Sequence, residues 1–202
     1  MGLMLDIQPG FGRALVIGGG EIAARKIRTL AEAEFEMTVV APTVVESIRL
    51  APHVRVIERE WREDDLEGHS LVLACTNSRE VNRAIGEAAR RRGLPVLVAD
   101  RQGESTFFTP AILREGDVQV AVSTGGASPR LAKEIRTRIA EALGRGWGRV
   151  AYFARMERTA RLGEEPREEM TRDVYEAMVR RTLGAPEHGE APLSGEAPEG
   201  DP

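Results

Sequence analysis

The stretch Val16-Ile17-Gly18-Gly19-Gly20-Glu21-Ile22-Ala23 decides the fold. Residues 13–17 (RALVI) form a short apolar run that suits a strand buried on both faces. After the glycines the period changes, and Ala23, Ile27, Leu30 and Ala31 fall on one helix face. Residues 37–41 (MTVVA) read as a second strand, stopped by Pro42. Strand, glycine turn, helix, strand is a βαβ unit, which is nearly always a right-handed crossover between parallel strands. The turn fits G-x-G-x-x-G/A with Gly18, Gly20 and Ala23. Gly18 permits the tight turn, Gly20 lets a pyrophosphate approach the backbone, and Ala23 lets helix and strand pack closely. The helix start presents free N–H groups to the phosphates, so the stretch predicts dinucleotide binding.

The alternation continues outward. Residues 54–57 and 70–74 are further strand candidates. Asn77 and Glu80 stand at capping-box spacing before a helix with Val81, Ile85, Ala88 and Ala89 inward. Gly93 is placed to end that helix as a left-handed cap, and residues 95–99 (PVLVA) are another buried strand. This predicts an α/β fold with a parallel sheet of about five strands and helices on both faces. Beyond Asp100 the pattern changes. Residues 101–106 are polar and loop-like, Phe107, Phe108 and residues 110–113 are apolar, and residues 118–122 suggest a strand. Ser128 then suits an N-cap and Pro129 the first helical position, with Leu131, Ile135, Ile139 and Ala142 on one apolar face. Residues 144–148 break the chain, and residues 150–162 and 168–183 suggest two more helices. From Ala185 the composition predicts a disordered acidic tail.

Composition excludes several classes. With 202 residues, 42% of them hydrophobic, the chain can bury a core, and no apolar run approaches the length of a membrane span. The net charge of -4 gives no general basic surface for nucleic acid. The single cysteine, Cys75, excludes an intrachain disulfide, and the N-terminus does not read as a secretory signal, so a cytoplasmic protein is expected. His53, His69 and His188 are far apart and lack zinc spacing to Cys75, so no metal site is expected. Cys75 reads as a small apolar residue at a strand end, and Met156, Met170 and Met178 as core.

Two further places can carry chemistry. Asp100 follows the 95–99 strand at its carboxyl end, where open α/β sheets bind ligands. Its carboxylate can move a proton, orient a substrate, or simply cap its own turn, and position alone leaves these open. The Ser123-Thr124-Gly125-Gly126-Ala127-Ser128-Pro129 loop suits an anion nest for a carboxylate or phosphate, or a plain turn before a capped helix. An acidic residue normally ends the second strand of a dinucleotide fold, but here Ala41-Pro42-Thr43 stands there. Arg49 follows at a distance, so NAD and NADP are not separated by this motif.

The order of these pieces is IGGGEIAARK, TVVAPT, LVLACTNSREVN, PVLVAD, FFTPAIL and AVSTGGASPRLAKEIR. It resembles the precorrin-2 dehydrogenase family, the N-terminal module of siroheme synthases, closely over residues 3–145 and loosely to 183. The resemblance implies an NAD(P)-binding Rossmann domain over residues 1–112 and a dimerisation segment with the STGGASP loop over 113–146. A small helical domain over 147–184 and the tail over 185–202 would follow. It implies a homodimer that oxidises precorrin-2 to sirohydrochlorin with NAD as cofactor. Some members also insert Fe2+ in the same cleft. Asp100 matches the family's catalytic aspartate. Glu21, Ile22, Pro42 and Thr43 match its NAD-contacting positions, beside Gly18, Gly19 and Gly20. Ser128 matches a serine that lines the tetrapyrrole cleft and is phosphorylated in some members. The carboxylate-rich substrate makes Ser123, Gly125, Gly126 and Arg130 expected neighbours. Two positions depart from the family pattern. Leu97 stands where many members have asparagine, and RQGESTFFTPA replaces a form like DPxxxSFxxPA. The competing reading is a non-catalytic NAD(H)-sensing module, which explains the glycines equally well but not Asp100 joined to STGGASP.

Overall fold

The five apolar runs before Asp100 become strands β1 (Ala14–Ile17), β2 (Met37–Val40), β3 (Val54–Ile57), β4 (Leu71–Ala74) and β5 (Val96–Val98). They pair in parallel in the order β3-β2-β1-β4-β5. The computed structural model describes residues 2–159, together with 177 and 180. The expected helix at 168–183, the tail, Met170, Met178 and His188 lie outside them.

Because side chains alternate along a strand, the apolar runs feed two cores. Ala14, Val16, Met37, Val39, Leu71 and Leu73 pack with Ala23 and Ile27 of α1 (Glu21–Ala31) and Ile48 of α2 (Glu46–Arg49). Leu15, Ile17, Val72, Ala74, Val96 and Val98 pack on the other face with Ile85, Ala88 and Ala89 of α3 (Arg79–Arg91). Fully burying one such aliphatic side chain contributes roughly 1.5–3 kcal/mol, so the strand runs, not helix propensity, hold this sheet. α3 starts one residue later than its capping pattern suggests. Ser78, not Asn77, is the N-cap and accepts from the Val81 N–H at 3.3 Å. Gly93 ends the helix at φ +70, with Gly93 N–H bonded to Arg90 O and Leu94 N–H to Ala89 O, the paired bonds of a left-handed cap.

The polar stretch after Asp100 turns back along β5. Val98 N–H donates to Ser105 Oγ at 2.9 Å and Val96 N–H to Thr106 Oγ1 at 2.8 Å. These hydroxyls satisfy the outer edge of the sheet.

The chain divides after Thr109, ahead of the expected boundary at 112, because Ala111 already belongs to a hairpin in the second unit. β6 (Ala111–Glu115) and β7 (Val118–Val122) pair antiparallel through the two-residue loop Gly116-Asp117. Gly116 has φ +56, the positive value that a two-residue hairpin turn needs at its first position. α4 (Pro129–Leu143) packs on this hairpin through Ala132, with Ile135 and Ile139 half-buried. Its inward face is rotated from the expected one, since Leu131 is 49% exposed and Ala142 is exposed. α5 (Trp147–Thr159) begins before the expected residue 150 and packs against β7. Met156 lies on its exposed side rather than in a core. Among the described residues no helix is long and apolar enough to cross a membrane.

Candidate functional site

The strand order reverses between β1 and β4, so the loops leaving their carboxyl ends run to opposite faces and open a crevice. A cleft of about 500 Å³ lies there, walled by Gly18, Gly19 and Gly20, Pro42 and Thr43, and Thr76 to Ser78. The three glycines have different structural reasons. Gly18 sits at φ +123, and a Cβ on it would stand 2.3 Å from the Cys75 carbonyl oxygen. On Gly19 a Cβ would stand 1.9 Å from the Thr43 carbonyl oxygen, so β1 and β2 loops can meet only without a side chain. Gly20 meets nothing within 4 Å and faces open space. As N-cap of α1 it offers no side-chain bond, which leaves the first-turn N–H groups open. Open backbone donors at a helix start, beside a cleft of this size, fit the pyrophosphate of a dinucleotide. Gly18, Gly19 and Gly20, with Pro42 and Thr43, would hold it. Glu21 and Ile22 open α1 just behind, are exposed, and do not line the cleft.

The cleft also receives Glu60 and Trp61, which sequence reading missed. They follow β3, whose end lies beside β2 only because of the strand order. Ala41 N–H donates to Ile57 O at 3.2 Å and joins the two strand ends.

Asp100 lies two residues past β5 in a turn, with its side chain 37% exposed. Its Oδ1 accepts from Asn82 Nδ2 at 3.0 Å, and Arg79 Nε stands 3.6 Å from Oδ2. Arg79 also pairs with Glu104. Asn82 is only 1% exposed. Its Oδ1 accepts from Thr76 N–H at 2.9 Å and from Thr76 Oγ1 at 2.8 Å, and its Nδ2 donates to Thr76 O at 3.0 Å. Every donor and acceptor of the amide is therefore used, and it ties the β4–α3 loop of the cleft to Asp100. No periodicity marks Asn82, since a polar residue in a helix reads as solvent-facing until its neighbours are known.

Cys75 is buried, as expected, and burial pushes its thiol up to about 12. Half-buried Lys26 of α1 donates to Thr109 Oγ1 at 2.7 Å, and burial lowers its pKa.

In the second unit the Ser123 to Pro129 loop carries Gly125 at φ +62 and Gly126 at φ +88. Ser128 is the N-cap of α4 and accepts from the Leu131 N–H at 3.1 Å. Gly125 N–H donates to Ser123 Oγ, Ala127 N–H to Thr124 O, and Ser128 N–H to Thr124 Oγ1. The loop thus uses much of its own donor set, as a turn before a capped helix does, which leaves fewer N–H groups for an anion. Arg130 follows on the exposed side of the first helical turn. Among the described residues no group of three or more metal-ligating side chains is present.

Comparison with known proteins bears on the family and the fold. Residues 3–111 match the family model described as putative NAD(P)-binding, and residues 115–142 the model described as sirohaem biosynthesis protein central. The siroheme synthase of Nitrosomonas europaea is 42% identical over 144 residues, covering 69% of this chain and 30% of that protein. The siroheme synthase of Methylococcus capsulatus is 38% identical over 170 residues, covering 83% of this chain and 34% of that protein. The chain thus spans about a third of the length of these curated relatives. A solved structure described as SirC, precorrin-2 dehydrogenase, aligns with a TM-score of 0.65 at 23% identity, covering 92% of this chain and 100% of that one. That likeness shows the fold.

Proposed function

Since the chain belongs to the siroheme synthase N-terminal module family, we propose that it oxidises precorrin-2 to sirohydrochlorin with NAD as cofactor. The observation that carries the reading is the link from Thr76 in the cleft wall through Asn82 to Asp100. It joins a dinucleotide cleft to a fixed, solvent-reachable carboxylate at the end of the next strand.

The oxidation removes a hydride and a proton from the substrate. Bound NAD supplies the hydride acceptor. Gly19 and Gly20 offer the pyrophosphate their backbone N–H groups, while the Gly18 N–H bonds Val40 O and shapes the turn. Pro42 and Thr43 stand beside them, and Glu21 and Ile22 start the helix behind. Asp100 takes up the proton. Asn82 holds one oxygen of that carboxylate, and the second, with the Arg79 guanidinium 3.6 Å away, accepts the proton. Ser123, Gly125, Gly126, Ser128 and Arg130 meet the substrate's carboxylates. Arg130 is the principal contact, because the loop already uses many of its own donors.

The protein works as a homodimer through the second unit. The hairpin β6–β7 is only half-buried, and a two-stranded sheet of this size is marginal without cover. Leu131, Tyr152 and Phe153 are exposed apolar side chains of the same unit.

Anaerobic incubation with precorrin-2 and NAD, followed by absorbance spectra, tests the activity. Sirohydrochlorin should form, and Asp100→Ala should retain NAD affinity while turnover falls by ~10²–10⁴-fold. Dinucleotide binding with precorrin-2 left untouched would identify a sensing module instead. Addition of Fe2+ in a second step reads out chelation, in which Fe2+ is a substrate. Full specific activity in folded Asp100→Ala would remove Asp100 from the mechanism.

A further inference from the structure

The cleft has one chemical asymmetry that neither the glycine turn nor Asp100 uses. Among the described residues that line it, Glu60 is the only charged one. Dinucleotide folds distinguish NAD from NADP at the adenosine ribose, usually with an acid at the end of β2 that bonds the 2′-hydroxyl or an arginine that receives the 2′-phosphate. Here β2 ends in Ala41-Pro42-Thr43, which supplies neither.

Of the arginines near the ends of β2 and β3, Arg49 and Arg59 are committed elsewhere, and Arg62 does not line the cleft. Arg49 is held by Glu58 through two bonds, at 2.9 and 2.8 Å. Arg59 is held by Asp65 through two bonds, at 2.8 and 2.5 Å, and also donates to Glu60 O at 2.9 Å. That last bond fixes the backbone of Glu60 while its carboxylate has no ion-pair partner among the described residues. The strand order sets β3 against β2, so the loop after β3, with Glu60 three residues past Ile57, reaches the cleft on the β2 side.

We infer that Glu60 takes the place of the missing acid at the end of β2, and that its carboxylate accepts from the ribose 2′-hydroxyl and repels a 2′-phosphate. This selects the unphosphorylated dinucleotide. The inference rests on the dinucleotide reading of the cleft but not on the identity of the oxidised substrate. A hydrogen bond to a charged group, lost or replaced by like-charge repulsion, corresponds to roughly a tenfold to hundredfold change in affinity.

The test is calorimetric binding of NAD+ and NADP+ to the full chain, with no second substrate present. Wild type should bind NAD+ at least about tenfold more tightly than NADP+. Glu60→Gln should weaken NAD+ and strengthen NADP+, so that the preference collapses towards one. Glu46→Gln removes the same charge from α2, which does not line the cleft, and should leave the preference unchanged. Thermal melting confirms that each variant is folded. A wild-type preference that persists in Glu60→Gln, or that falls equally in Glu46→Gln, overturns the role of Glu60. Equal binding of both dinucleotides by wild type also overturns it, while leaving the cofactor site intact. No binding of either one overturns the dinucleotide site and this inference together.

Discussion

Asn82 donates to Asp100 at 3.0 Å from a side chain otherwise wholly engaged with Thr76. The carboxylate is therefore held from inside the protein. Asn82→Ala leaves Thr76 N–H and its carbonyl without their partner and releases Asp100. Stability should fall by about 2–3 kcal/mol, as expected when buried polar groups lose a partner. Urea unfolding measures this, and a change within about 0.5 kcal/mol, ordinary for a surface substitution, would show that the network is not cooperative. Turnover per folded molecule should fall as well, because the orientation of Asp100 is lost.

The glycine turn should separate into fold and ligand positions. In Gly19→Ala the new methyl group meets the Thr43 carbonyl, and backbone must move. A loss of roughly 1–3 kcal/mol is expected, the usual cost of overpacking. Gly20→Asp meets no protein atom, so its melting temperature should stay near wild type. It places a carboxylate where the pyrophosphate belongs, and NAD affinity should collapse. Unchanged NAD affinity in folded Gly20→Asp would move the phosphate site elsewhere.

Asp65 gives the protein one acid-sensitive contact. Its hydrogen bonds from Arg59 lower its pKa, burial opposes this, and the Arg62 N–H adds to the lowering. A carboxyl group with a depressed folded pKa contributes stability above its unfolded value and loses it as pH falls through the folded one. Asp65→Asn should thus be less stable than wild type at pH 7, by roughly 1–2 kcal/mol for a partly exposed charged contact. The gap should close below about pH 4. A gap independent of pH would assign the effect to packing.

Cys75 should be chemically silent. Alkylation requires the thiolate, and burial holds the thiol up to about 12. At pH 8 iodoacetamide should label the native chain only as fast as it opens, and urea should release the reaction. Rapid stoichiometric labelling of the folded protein would contradict the burial of this side chain.

β1, β2, β4 and β5 were legible because strands buried on both faces are apolar almost throughout, whereas the border strand β3 showed only as a β-branched run around exposed Arg55. The glycine turn was legible for a similar reason, since its residues answer to local backbone geometry. Local spacing was weaker at the start of α3, where Asn77 and Ser78 are adjacent residues and both make good caps. The β6–β7 hairpin was only half seen. Gly116-Asp117 carries its turn signal, but Arg114 and Glu115 interrupt the apolar pattern of β6. Glu60 and Asn82 were not legible at all. Each matters through a neighbour brought close by topology, and nothing in its own stretch of chain distinguishes it.

The hydroxyls of Ser105 and Thr106 along β5 bear on how molecules meet during synthesis and refolding. A bare outer strand is a template on which another chain can lay a sixth. Here the template is already occupied by the protein's own following segment, so sheet extension at β5 must first break these two bonds and the one from Thr106 N–H to Val96 O at 2.7 Å. Among the described residues no side-chain hydroxyl bonds the backbone of the opposite border, β3, which carries exposed Arg55 instead. Charge is a softer guard than occupied donors, because salt screens it. Strand exchange between crowded copies should therefore start at β3 and grow with ionic strength, leaving the side of the sheet next to Asp100 unaltered.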